Sequence, residues 1–339
     1  MRQLLNRTSP SLAGVIVTLA MLGWAVPSGA AHLSHVHPAT NSPASLTSSS
    51  SAHRPASPQR SVRPSVYSVP RAVYFREVAG RGLLVDVWMN GNGPYTFAID
   101  TGAGATIVSA RVAGAAGVNS GTGRSHRIVG LSGVSNARIA SEIKVRSLAI
   151  GDRDNLLPAT GAILTADIFP TGIDGVIDPT ESYSPLGYVI DFPRSSLSAF
   201  DPAQDPLRSN SPPIDGTVVS WVRDAGGRRP YVLLDDGRKA LLDTGSEFGL
   251  ALRDNSRTDY GAGTSSSNRS VRDLGGGALS ARRVAPLTVA VGALALQRIP
   301  TDLVSGLSPT APILLGRAAL RPFRLSFDPL NRLIEIAPG

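Results

Sequence analysis

After Arg71 the chain settles into short runs in which apolar and polar residues alternate, broken by Gly, Asn-Gly, Asp-Gly and Pro. A period of two with such punctuation predicts β-strands joined by hairpins, and therefore an all-β fold. Leu83 to Met89 reads as one strand and Asn90 to Pro94 as its turn, with Tyr95, Phe97 and Ile99 alternating along the return. Further on, Tyr231 to Leu234 reads as a strand, Asp235 to Arg238 as a turn, and Lys239 to Leu242 as the return. Asn-Gly and Asp-Gly suit these turns because tight hairpins need positive φ.

The pattern repeats in order. Gly130-Leu131-Ser132-Gly133 precedes Ala137-Arg138 and then Ile143, Val145, Leu148 and Ile150, ending at Gly151. Gly275-Gly276-Gly277 precedes Ala281-Arg282 and then Leu287, Val289 and Val291, ending at Gly292. Each half closes on an apolar-glycine element and a last strand. These are Ile173 to Ile177 with Tyr188 to Phe192, and Ile313 to Gly316 with Phe323 to Phe327. Duplication accounts for this ordered matching. The Pro-rich stretch from Asp201 to Gly216 reads as the join, giving domains over residues 71–205 and 206–339.

Composition alters the picture mainly at the N-terminus. The 339 residues carry a formal charge of +8, but residues 1–71 alone contain six arginines and no acid. The remaining chain is nearly balanced, which argues against a phosphate-binding stripe and a nucleic-acid partner. Arg2 and Arg7 precede an apolar stretch from Leu12 to Val26, followed by Pro27 and small residues through Ala31. Residues 1–31 therefore read as a signal peptide and the protein as exported, to a periplasm, the cell envelope or the medium. Fifteen apolar residues are short for a membrane span, so no stable insertion is expected after the signal is removed. Residues 32–70, rich in Ser, Pro, Ala and His, read as a disordered spacer or propeptide. With no cysteine, stability must come from packing.

The candidate chemistry lies in a repeated tripeptide. Asp100-Thr101-Gly102-Ala103 follows one predicted strand and Asp243-Thr244-Gly245-Ser246 another, the two aspartates 143 residues apart. Two carboxylates brought close enough to share a proton can run acid and base chemistry on one water molecule, which points to a hydrolase.

These motifs, with Ile313-Leu314-Leu315-Gly316-Arg317, make residues 72–338 resemble the aspartic proteases, in particular a single-chain bacterial protein with two retropepsin-like halves. The resemblance implies a bilobal fold of two β-barrel-like lobes with the active site between them. It implies catalytic roles for Asp100 and Asp243, and hydroxyls of Thr101 and Thr244 bonded to the opposite loop. Gly102 and Gly245 would keep the loops tight, with Ala103 and Ser246 as the small residues that follow. Ser246 could then hydrogen-bond the nearby carboxylate. It further implies a polypeptide substrate, a site complete within a monomer, and neither cofactor nor metal. Flap hairpins are expected over Arg127 to Arg138 and Asp273 to Ala281.

Two departures are visible. No tyrosine lies between Gly121 and Gly151, and Asp178 stands where the family has a second glycine behind the first loop. They keep open a second reading, a bilobal peptide-binding protein with weak or no catalysis. His126, in a Gly- and Arg-rich stretch expected to be a solvated loop, is the one histidine outside the tail that a Ser-His-Asp triad could use. Trp88 and Trp221 read as core or domain-joining residues.

Overall fold

The computed structural model describes residues 19–21 and 67–339, except 119–122, 134–136, 160, 224–227, 255–267 and 273–276. The fold is all-β: three sheets and, among the described residues, only three short helices, Ala110–Ala115, Pro179–Ser182 and Arg317–Leu320.

In the first sheet Gly82–Met89 and Asn92–Ile99 form a hairpin. Asn90 and Gly91 make its turn at φ 52° and 79°, both in the left-handed region that Asn and Gly tolerate best. On the other edge of Asn92–Ile99, strand Gly175–Ile177 runs parallel to it, with Ile177 opposite Ile99. Ile107–Val108, Gly161–Thr165, Arg138–Val145 and Ser125–Gly130 then follow in spatial order. The second sheet repeats this plan. Tyr231–Leu233 pairs with Lys239–Asp243, which pairs in parallel with Ile313–Gly316. Leu250–Arg253, Leu294–Ser305, Ala278–Val291 and Asn268–Arg272 complete it. Both run as open paths, so the barrel-like lobes expected from the resemblance are curled sheets without closure.

The third sheet is built from both halves. Its central pair is Gly187–Asp191 against Phe323–Asp328, with Tyr188 opposite Phe327, Val189 opposite Ser326 and Ile190 opposite Leu325. Each of these strands ends in a matching turn: Asp191 accepts the Arg194 N–H (2.9 Å) and Asp328 the Asn331 N–H (2.8 Å). This shared sheet fixes one half against the other. Trp221 is a core residue, one of the two roles expected from sequence, buried edge-on to Phe327 of its own half with its Nε1–H donated to Arg229 O (2.8 Å); Trp88 is only half-buried.

Alternate residues of the central strands feed different cores. Ile99, Ile177, Leu242 and Leu315 enter one large cluster that runs through both halves. Their neighbours Ala98 and Val176 pack within the first half, and Leu241 and Leu314 within the second. Burial on both faces explains why these strands read as unbroken apolar runs leading into each Asp-Thr-Gly.

Leu19–Met21, inside the segment expected to be removed on export, pairs antiparallel with Ser125–Gly130. The expected cleavage site and nearly all of the spacer lie outside the described residues. Among the described residues no helix is long and apolar enough to cross a membrane.

Candidate active site

Asp100 follows the strand Asn92–Ile99, and Asp243 is the last residue of Lys239–Asp243. Each is held by the parallel strand beside it: the Asp100 N–H reaches Ile177 O (3.0 Å), and Asp243 stands in register with Gly316. The two loops lock to each other by reciprocal bonds. Thr101 N–H donates to Thr244 Oγ1 and Thr244 N–H to Thr101 Oγ1, both at 3.1 Å. Each hydroxyl then donates to the facing strand, Thr101 Oγ1 to Leu242 O (2.6 Å) and Thr244 Oγ1 to Ile99 O (3.1 Å). Four bonds thereby satisfy the amides and hydroxyls of both threonines and the two facing carbonyls, all of them buried.

The carboxyls receive matching support. Gly102 N–H donates to Asp100 Oδ1 (2.8 Å) and Gly245 N–H to Asp243 Oδ1 (3.0 Å). A Cβ on Gly102 would lie 2.8 Å from Asp243 Oδ1 and 3.2 Å from Asp100 Oδ1, which places the two carboxyls on either side of this glycine. Ala103 is buried in the first-half core. Ser246 Oγ accepts the Phe248 N–H (3.3 Å), which braces its own loop.

Both aspartates are fully buried, and Asp100 Oδ2 has no hydrogen-bond partner. Burial, then the facing Asp243 carboxylate, push the Asp100 carboxyl well above the usual range, with Asp178 adding a smaller push. Two buried carboxyls that face each other resist ionising together, which favours one proton shared between them, the arrangement suited to activating a water.

The hairpin expected over Arg127 to Arg138 is present as Ser125–Gly130 against Arg138–Val145, with residues 134–136 outside the described set. Its tip crosses to the second half. Leu131 is buried among Tyr231, Leu241, Phe248 and Leu279, and its carbonyl accepts the Ser308 N–H (2.9 Å). The second hairpin pairs Asn268–Arg272 with Ala278–Val291, and residues 273–276 of the expected flap are not described. His126 departs from expectation: it lies on a strand of the first hairpin, half-buried, 3.3 Å from Glu142, and far from a loop in open solvent.

Sequence reasoning missed what stands behind the loops. Arg317 is almost wholly buried, donating Nη1–H to Thr244 O (2.8 Å) and Nε–H to Glu77 (3.0 Å), with Glu247 at 3.4 Å. Burial pushes the Glu77 carboxyl up, but Arg321 and Arg317 outweigh it and hold it below its ordinary range. The arginine was visible in the motif; its partner Glu77 lies 240 residues away in sequence, where no local signal could reveal it.

Residues 85–164 match a family described as gag-polyprotein putative aspartyl protease. The match takes in the Asp100 loop and the first hairpin, and stops before Asp178 and the whole second half. No curated protein matches the chain.

Proposed function

We propose that this chain is an aspartic endopeptidase in which two retropepsin-like lobes, residues 71–205 and 206–339, each supply one carboxylate to a single site. The observation that carries this reading is the pair of buried Asp-Thr-Gly loops joined by reciprocal threonine bonds, with the family match on the first of them. A water bound between Asp100 and Asp243 loses its proton to the ionised carboxylate and attacks the amide carbon. The protonated partner donates to the carbonyl oxygen, and the tetrahedral intermediate then collapses with loss of the amine. The site is complete in one monomer, and the residues in it call for neither metal nor covalent intermediate. Export by residues 1–31 belongs to the same reading, because an unfolded polypeptide outside the cell is the substrate such a cleft accepts.

Both carboxyls are wholly buried, so substrate enters only after a segment moves. The first hairpin is suited to this: among the described residues its tip meets the second half through Leu131 and the bond from Ser308 N–H to the Leu131 carbonyl. The same burial favours the second reading, a bilobal peptide-binding protein with little catalysis.

The test is cleavage of an unfolded protein from pH 3 to 7 by residues 32–339, compared with Asp100→Asn and Asp243→Asn. Loss of general acid–base action predicts a fall of about 10²–10⁴-fold in each variant. Unchanged cleavage in either one refutes the shared site. Inactive wild type that still binds peptide moves the reading to a binding protein.

A further inference from the structure

The two carboxyls face each other symmetrically, but what stands behind them differs. Asp178 follows Gly175–Ile177, whose last carbonyl accepts the Asp100 N–H, so it is the next residue in register beside Asp100, as Gly316 is beside Asp243. Asp178 is buried, and its Oδ1 accepts the Thr180 N–H (2.9 Å). Behind Asp243 there is a guanidinium instead. Arg317 Nη1–H donates to Thr244 O, and the N–H of that same peptide unit, on Gly245, donates to Asp243 Oδ1. A cation bonded to the carbonyl end of a peptide strengthens the donor at its N–H end, so this relay favours negative charge on Asp243. The first half has no such relay from this position, because Pro179 stands where Arg317 does.

Resting on the protease reading for its chemical meaning, we propose that Arg317 acts as a positioning residue that leaves the shared proton on Asp100, making Asp100 the acid and Asp243 the base. The other charged groups near each loop are accounted for. On the first side Glu181 is paired with Arg228 (2.6 Å), the Tyr188 hydroxyl meets Thr180 Oγ1 (2.9 Å), and Arg229 passes Gly104 with its guanidinium over the Tyr231 ring. On the second side Glu77 and Glu247 meet Arg317, Arg321 meets Glu77, and Arg269 lies over Phe248 while bonding Asp302. Arg317 shares its charge with these glutamates, but its Nη1 is the donor aimed at the Asp243 loop.

The experiment reads protonation directly. Carboxyl ¹³C titration of the full folded chain, labelled at aspartate, is carried out on Asp243→Asn, where Asp100 remains alone, and on Asp100→Asn, where Asp243 remains alone. Asp100 is expected to titrate above Asp243 by about one pH unit or more. Adding Arg317→Met to the second variant should raise the Asp243 value, while the same change in the first variant leaves the Asp100 value in place. Equal midpoints, or Asp243 titrating higher, overturn the assignment. So does an Asp243 midpoint indifferent to Arg317→Met, which would leave Arg317 a purely structural residue. The readout needs no substrate, so a chain that fails to cleave protein would sink the protease reading while leaving the proton assignment to be judged by these midpoints.

Discussion

Behind Asp243 the chain passes at Gly316 so closely that a Cβ there would meet Phe248 O at 2.4 Å and Ser246 O at 2.8 Å. Backbone donors then close the gap: Gly316 N–H to Gly249 O (2.9 Å) and Arg317 N–H to Ser246 O (2.9 Å). Behind Asp100 the matching residues are Asp178 and Pro179, and neither contact survives in that form. The Asp178 N–H goes to a side chain, Thr106 Oγ1 (3.2 Å), and Pro179 has no N–H to give. The first loop is tied instead to the short helix Pro179–Ser182, through Thr106 N–H to Glu181 Oε2 (2.6 Å) and Thr106 Oγ1 to Ser182 Oγ (2.9 Å). One geometry at the front of the site is therefore reached by two constructions at the back. The contacts that face the partner loop are under mutual constraint, while those that face each half's own body can be rebuilt whenever the buried polar groups find other partners.

The largest expected effect tests the second construction. Arg317→Met removes a buried cation that bonds Thr244 O and two glutamates, and should cost about 3 kcal/mol in urea unfolding, since the glutamates keep some access to water. A loss well below 1 kcal/mol would mean that the second loop does not depend on this arginine.

A change of opposite sign is expected in the first construction. Burial, and next the Glu181 carboxylate, push Asp178 up from its ordinary 3.8 to about 8. Between those values the folded chain holds a proton that the unfolded chain has released, so stability falls as pH rises from about 4 to about 8. Asp178→Asn keeps the oxygen that caps Thr180 and removes the ionisable group. The variant should gain on wild type as pH rises, by on the order of 2 kcal/mol at pH 7 relative to pH 4. Parallel melting curves across that range would contradict the buried acid.

The smallest effect concerns the rim. Arg228 is half exposed and bonds Glu181 Oε1, beside a cavity of about 390 Å³ lined also by Thr180, Ser182 and Ser184. Arg228→Ala should cost no more than about 1 kcal/mol, and less in high salt. A loss as large as that for Arg317 would show that the two constructions carry comparable electrostatic weight.

Much of this was legible from sequence because it is local. The strands leading into Asp100 and Asp243 are specified by apolar runs and by turns at Asn90-Gly91 and at Gly237, where positive φ leaves few alternatives. The site pair itself was readable because the same tripeptide stands twice in the sequence, each time behind an apolar run. Position 178 was readable only as an anomaly: an aspartate where a glycine was expected. That the loop keeps its geometry with an aspartate there depends on Thr106, Glu181 and Ser182 arriving together, which no periodicity encodes. His126 was misplaced because glycines and arginines around it resemble a loop, whereas pairing with Arg138–Val145 makes it strand.

By itself, then, the chain's order of residues determined the strands, the hairpins and the identity of the facing acids, since each depends on contacts between near neighbours or on a pattern that repeats. Only the tertiary structure decided how the carboxyls are buried, that Leu131 crosses to the second half, and that Arg317 backs one loop while Asp178 backs the other. Those features depend on groups up to 240 residues apart meeting in a medium of low polarity, where a charge or a single hydrogen bond counts for far more than it does in the extended chain.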